Sequence, residues 1–240
     1  MSLTGYNSQM LTPVIIYEDN HLLIVQKPPG FLSQPDGGSR PNLLNWAEKY
    51  LARNKPGRAY VGLVHRLDRS VGGVMALAKT SKAAARLSGQ FRDRSCEKIY
   101  LALVTGPVPG AGAGEWAGAR LDDNLIRAGS LTRVAGPEEE GKICSLLWRM
   151  RAVSRNAHPG TDLALLQINL LTGFKHQIRA QLTGLGCPVV GDLKYGSPLS
   201  GPGPAIGLWA EALAIDHPTK KERLVFKADP AGDLWPWSLM

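Results

Sequence analysis

The sequence predicts an α+β protein with a mixed, largely antiparallel central sheet. Short runs rich in Val, Ile and Leu outnumber the stretches of helical spacing. These runs follow one another without a regular strand–helix–strand rhythm, which argues against a parallel α/β sheet. No repeat of fixed period interrupts the 240 residues, so a solenoid or propeller is excluded.

Val14–Tyr17 and His21–Gln26 form a predicted hairpin about Glu18-Asp19-Asn20, and Lys27-Pro28-Pro29-Gly30 ends it, because proline cannot continue a ladder. Asn42 opens a helix over Leu43–Asn54, with Leu43, Leu44, Ala47 and Leu51 on one face, and Lys55-Pro56-Gly57 stops it. Strands are expected at Tyr60–Arg66 and Gly73–Ala78. Thr80 or Ser81 then caps a helix carrying Ala84, Leu87 and Phe91. Ile99–Thr105 is a further strand, and the Gly- and Pro-rich Gly106–Gly114 is a loop joining two halves. Glu115–Leu121, Lys142–Val153 and Leu163–Leu171 read as strands of the second half, with Glu138-Glu139-Glu140 a solvated turn. Thr172-Gly173 leads into a helix over Lys175–Leu185 with Ile178, Leu182 and Leu185 as its stripe. Leu208–Ile215 and Arg223–Lys227 are the last strands. The expected division is a tail over 1–13, a domain over 14–228 and a tail over 229–240.

Twenty-eight Lys and Arg against 20 Asp and Glu give a net charge of +8. Such a balance points to a polyanion, nucleic acid first and an anionic membrane surface second. Cys96, Cys144 and Cys187 form neither a disulfide framework nor a zinc site, which suits a reducing compartment. No apolar run approaches the ~20 residues of a membrane span, and the N-terminus has no signal-peptide pattern. A cytoplasmic location is expected.

Val64-His65-Arg66-Leu67-Asp68-Arg69-Ser70-Val71-Gly72-Gly73 sets one carboxylate between two arginines, ahead of an apolar strand-like run. An acid so placed is either a structural counter-ion or a catalytic group in an electropositive pocket. Two more segments bear on the choice. Tyr100 sits on a predicted strand with Lys98 on the same face two residues earlier. Leu171-Thr172-Gly173-Phe174-Lys175-His176-Gln177-Ile178-Arg179 precedes Gly191-Asp192-Leu193-Lys194-Tyr195-Gly196. With Lys27-Pro28-Pro29-Gly30, Leu208-Trp209-Ala210 and Asp216-His217-Pro218, these resemble the RluA family of RNA pseudouridine synthases, in the expected order from Val14 to Ala228.

That resemblance implies the pseudouridine synthase catalytic fold and a cofactor-free isomerisation of uridine within ribosomal or transfer RNA. The bond from uracil N1 to the ribose breaks, the base turns, and ribose C1′ joins uracil C5. It implies Asp68 as the catalytic carboxylate, able to add to an electrophilic carbon or take a proton. Arg179 becomes its partner, favouring the ionised acid, and Tyr100 becomes a stacking face for an extruded base. Ile178 takes the position of an aliphatic wall against the base, and Arg66 that of an arginine that helps displace it. Lys98, Lys175 and His176 are the remaining expected substrate contacts.

Two departures stand out. Val71-Gly72-Gly73 replaces the family's usual Thr-Ser-Gly, and Phe174 replaces an arginine, with Lys175 beside it as substitute. Lys27, Arg69, Lys79, Lys82, Arg86, Arg92 and Arg94, with Lys98, are expected to neutralise phosphates. A monomer is expected, with no metal, cofactor or membrane. The rival readings are a non-catalytic RNA-binding module on the same fold, and a hydrolase using Asp68 with His65 or His176. The hydrolase lacks a G-x-S-x-G elbow, an H-E-x-x-H motif and any Cys/His cluster at ligand spacing.

Overall fold

The structure is a computed structural model that describes residues 12–53, 59–106 and 120–240. Its strands are β1 (Val14–Glu18), β2 (Leu22–Lys27), β3 (Gly62–Leu63), β4 (Gly72–Ala78), β5 (Glu97–Thr105) and β6 (Arg120–Ala128). They continue with β7 (Leu131–Val134), β8 (Lys142–His158), β9 (Thr161–Leu170), β10 (Leu208–Asp216) and β11 (Arg223–Lys227). The helices are α1 (Leu43–Ala52), α2 (Ser81–Arg92) and α3 (Gln177–Gly184). The fold is α+β, with strands outnumbering helices among the described residues. The chain clusters into two compact units: one runs through Glu97 and takes in Pro202–Ala205 and Ala210–Pro230, and the other holds Lys98–Gly201, Ile206–Trp209 and Ala231–Met240.

In the first unit the strand order is β1-β2-β4-β10, with β11 on β10 and β3 on β4. β2 pairs antiparallel with β4 from Leu22↔Ala78 to Lys27↔Gly73. β4 is buried along its whole length, which is why its sequence reads as an unbroken apolar run. Ala83 and Leu87 of α2 join Leu22, Ile24, Val74 and Ala76 in one cluster. Both helix starts follow the expected chemistry. Asn42 Oδ1 accepts from Asn45 N at 2.8 Å, and Thr80 Oγ1 from Ala83 N at 3.2 Å. Gly73 has φ +118°, and a Cβ there would lie 2.2 Å from the Ala210 carbonyl oxygen, so only glycine fits where β4 meets β10.

The strand expected over Tyr60–Arg66 shortens to Gly62–Leu63. The reason lies in His65. Its Nε2 accepts from Ala76 N at 2.9 Å, and its ring stacks on Phe91 at 4.5 Å. A side chain thus takes the bond that a neighbouring strand would have made, and the chain leaves the ladder before Asp68. Strand alternation therefore does not put Arg66 and Asp68 on one face. α1 ends at Ala52, two residues short of the expected Asn54, and residues 54–58 lie outside the described part.

In the second unit the order is β5-β9-β8-β6-β7, with the first residues of β10 beside β5. Two elements here were not expected at all, the Asp122–Ala128 part of β6 and the whole of β7. Both are held by a hairpin from Leu125↔Val134 to Ala128↔Leu131. The expected strand Glu115–Leu121 falls mostly outside the described residues, as does the expected loop beyond Gly106. Trp237 is buried with Leu103, Leu163, Val190 and Trp209, so the C-terminal residues pack on this unit's core. α3 starts at Gln177 rather than Lys175.

Candidate active site

In the first unit, Asp68 lies half-buried on the irregular run between β3 and β4. Backbone polar groups that leave a ladder need other partners, and this run finds them. Ser33 Oγ donates to Leu67 O at 2.7 Å and accepts from Leu67 N at 3.1 Å. Val71 N donates to Asp68 O at 3.1 Å, and Gly30 N to Arg69 O at 2.7 Å. Arg66 and Arg69 are both exposed, while Leu67 between them is buried.

Lys27 corrects an expectation. The sequence placed it among the phosphate-neutralising cations; the structure buries it completely. Its Nζ donates to Phe31 O at 2.8 Å, Pro28 O at 3.1 Å and, at a longer 3.5 Å, Arg69 O. The Pro28-Pro29 pair has no backbone N–H of its own, so the turn's carbonyls draw in an ammonium. Burial pulls the Lys27 pKa down to about 7, against the upward pull of the Asp68 carboxylate. Lys79 is also engaged, with Nζ 2.5 Å from Glu18 Oε1 and 2.5 Å from Asp19 O. Arg86 Nη1 donates to Pro218 O at 2.7 Å.

In the second unit, Tyr100 is half-buried on β5 and paired with Ile168 of β9, itself opposite Trp148 of β8. Opposed residues share a face, so Tyr100, Ile168 and Trp148 form one row, with Lys98 two residues from Tyr100 on that side of β5.

Arg179 on α3 is buried and bound bidentately to Asp192, at 2.5 Å from Nε to Oδ2 and 2.7 Å from Nη2 to Oδ1. Its guanidinium also lies 4.6 Å from the centroid of the Tyr195 ring. The carbonyl of Asp192 braces the Gly191–Gly196 turn, accepting from Tyr195 N and Ser197 N, while its carboxylate is committed to Arg179. The Tyr195 hydroxyl accepts from Thr132 N at 2.9 Å and lies 2.9 Å from His176 Nδ1. His176 stands at the N-cap position of α3 with φ +56° and makes no side-chain cap bond.

Ile178 is buried and Lys175 exposed, with its carbonyl accepting from Thr132 Oγ1 at 2.7 Å. Phe174, which stands where the family usually has an arginine, packs against Leu125, Cys144, Ala180 and Tyr195. Gln177, between His176 and Ile178 in sequence, bonds Thr172, Ser145 O and Gln181 and seats α3 on β8.

The structure thus gathers Arg179 and His176 around Tyr195, and keeps Lys98 beside Tyr100. Ser33, Asp192 and Tyr195 are the residues whose contacts the sequence did not give. Asp192 and Tyr195 were visible as part of a motif, but their partners lie 13 residues and more away. Among the described residues no cluster of three or more His, Cys, Asp or Glu could hold a metal, and no helix is long and apolar enough to cross a membrane.

The class follows from comparison. A family model described as RNA pseudouridylate synthase matches residues 21–183, two-thirds of the sequence and all the motifs through Arg179. Two solved human structures, RNA Pseudouridylate Synthase Domain Containing 4 and 1, share the fold. They have TM-scores of 0.71 at 21% and 23% identity, covering 94% and 95% of this chain and 90% and 87% of theirs. Within that class the chain belongs to the RluA family. The dual-specificity RNA pseudouridine synthase RluA of Escherichia coli is 31% identical, covering 95% of this chain and 98% of its own. The ribosomal large subunit pseudouridine synthase D of Pseudomonas aeruginosa is 31% identical over 94% of this chain and 71% of its own. The protein is an RNA pseudouridine synthase, an isomerase.

Proposed function

We propose that the protein isomerises uridine in ribosomal RNA, with Asp68 as the residue that acts directly on the nucleoside. The observation that carries the reading is the Asp68 turn itself. A half-buried aspartate stands on a backbone whose carbonyls from Leu67 to Arg69 are all engaged. A group that must meet one reacting atom benefits from such preorganisation.

Tyr100 supplies an aromatic face for the extruded base, and Ile178 an aliphatic wall. Arg179 is a further catalytic residue. Arg66, Lys98, Lys175 and His176 contact the RNA. Extrusion costs a few kcal/mol and is cheapest from a loop or a weak pair, so the target uridine lies in such an element. Ribosomal RNA is favoured because relatives named for the large ribosomal subunit recur among the matches, from Pseudomonas aeruginosa and Rickettsia prowazekii among others. The enzyme works as a monomer in the cytoplasm without metal or cofactor. Its three cysteines are buried and in no disulfide among the described residues, in keeping with a reducing compartment.

The test is to incubate unmodified ribosomal RNA and unmodified transfer RNA separately with the enzyme and map pseudouridine by carbodiimide-dependent reverse-transcription stops. New stops in ribosomal RNA alone are expected. Stops confined to transfer RNA would overturn the assignment of the RNA while leaving the reaction in place.

A further inference from the structure

We infer that Ser33 is a positioning residue for Asp68, holding the peptide unit on which the carboxylate turns. The inference rests on the proposed role of Asp68 and adds a residue that none of the motifs includes.

The chain leaves the ladder after Leu63 and rejoins it at Gly72. Across that gap Leu67 is buried, so water cannot stand in for a missing partner of its N–H or its C=O. Ser33 is 5% exposed, and its one oxygen answers both groups, donating to Leu67 O at 2.7 Å and accepting from Leu67 N at 3.1 Å. A hydroxyl can do this because it carries a donor and acceptor lone pairs on one atom. Alanine at this position would leave two buried backbone groups unpaired, and valine would add a methyl where the bond should be.

Leu67 C=O belongs to the peptide that leads into Asp68. Fixing both polar groups of Leu67 removes rotation about the bonds that aim the next side chain. On the far side Gly30 N fixes Arg69 O at 2.7 Å. Asp68 is therefore held from both sides by one stretch of chain, Gly30 to Ser33, and that stretch is itself tied down by Lys27 through Phe31 O. Ser33 is the only member of that stretch to bond the Leu67 side through a side chain, which makes it the member that mutation can remove cleanly. Its other described contact, Met75 Sδ at 3.7 Å, is soft and adjustable.

Displacement of a reacting group by about 1 Å costs on the order of a hundredfold in rate. Loss of the Ser33 bond should therefore appear in kcat rather than in RNA capture. The experiment compares wild type, Ser33→Ala, Ser33→Thr, Ile24→Val and Asp68→Asn by single-turnover rate, RNA affinity and melting temperature. Ile24→Val thins the same unit's core without touching the turn, so it reports what lost stability alone does to rate. The expected result is a fall in rate of at least about tenfold for Ser33→Ala, with RNA affinity within about twofold of wild type. Ser33→Thr, which keeps the hydroxyl, should restore the rate, and Ile24→Val should melt earlier with its rate intact. Should Ser33→Ala not fold, Ser33→Cys takes its place, with an intermediate loss expected from its weaker donor.

Wild-type rate in folded Ser33→Ala would overturn the inference, as would an equal loss in a folded Ser33→Thr. Wild-type rate in Asp68→Asn is a different failure: it would remove the role of Asp68 itself.

Discussion

The Asp68 turn in one unit and the Arg179 helix in the other each present a charged side chain, and the bonds described around them differ in kind. Along the Asp68 turn a serine hydroxyl, a buried ammonium and two peptide N–H groups fix the main chain. Around Arg179 the bonds run to the side chain: a bidentate carboxylate and a tyrosine ring enclose the guanidinium. A group that must change partners during a reaction is best aimed through its backbone.

The contrast predicts where substitutions cost stability. Asp192→Asn removes the buried carboxylate that binds Arg179 bidentately, a loss of about 3–5 kcal/mol. Urea unfolding should show a much lower midpoint, and a midpoint near wild type would mean that the pair contributes little. On the Asp68 side the corresponding buried charge is Lys27, and its signature is pH. Its folded pKa of about 7 lies below the usual lysine value, so the unfolded chain binds more protons between pH 7 and pH 10 and stability rises across that window. The gain is on the order of 2 kcal/mol between pH 7 and pH 9, and Lys27→Met should abolish it. A parallel rise in the variant would assign the effect to another group.

A smaller effect is expected at Asp19, where burial raises the carboxyl but is outweighed. The N–H groups of His21 and Leu22, His217 and the Tyr17 hydroxyl bring it down to about 2. Its contribution is therefore present above pH 4 and is lost as pH falls through 2. Asp19→Asn should cost about 1–2 kcal/mol at neutral pH and remove that acid-range loss. The smallest effect belongs to Lys82, exposed on the first turn of α2. Lys82→Ala should weaken binding to any RNA alike and lower the salt slope by about 1. An unchanged slope would put the RNA elsewhere.

The contrast also explains what could be read from the sequence. β2, β4 and α2 were legible because their pattern is local: apolar runs, then Thr80 three residues before Ala83. β7 and most of β6 were not, because Asp122, Asp123 and Asn124 are poor strand formers. Two of them are held by distant partners, Asp122 by Ser145 and Asp123 by Gln181. The site motifs were legible by resemblance, yet the partners of their members were not. Nothing in the sequence joins Ser33 to Leu67, 34 residues on, or Arg179 to Asp192. Lys27 misled for a general reason: a lysine reads as surface unless its turn lacks donors, and the two prolines were the clue.

The central claim is that Asp68 carries the isomerisation. Joining C5 of uracil to the ribose must expel the hydrogen at C5, so tritium release from RNA labelled there follows the reaction directly. Wild type and Asp68→Asn should be compared on bulk ribosomal RNA with chelator present and RNA binding measured in parallel. The account predicts release by wild type, a loss of at least about a thousandfold in the variant, on the order of 4 kcal/mol of barrier, and RNA binding kept. Comparable release by both proteins would contradict it.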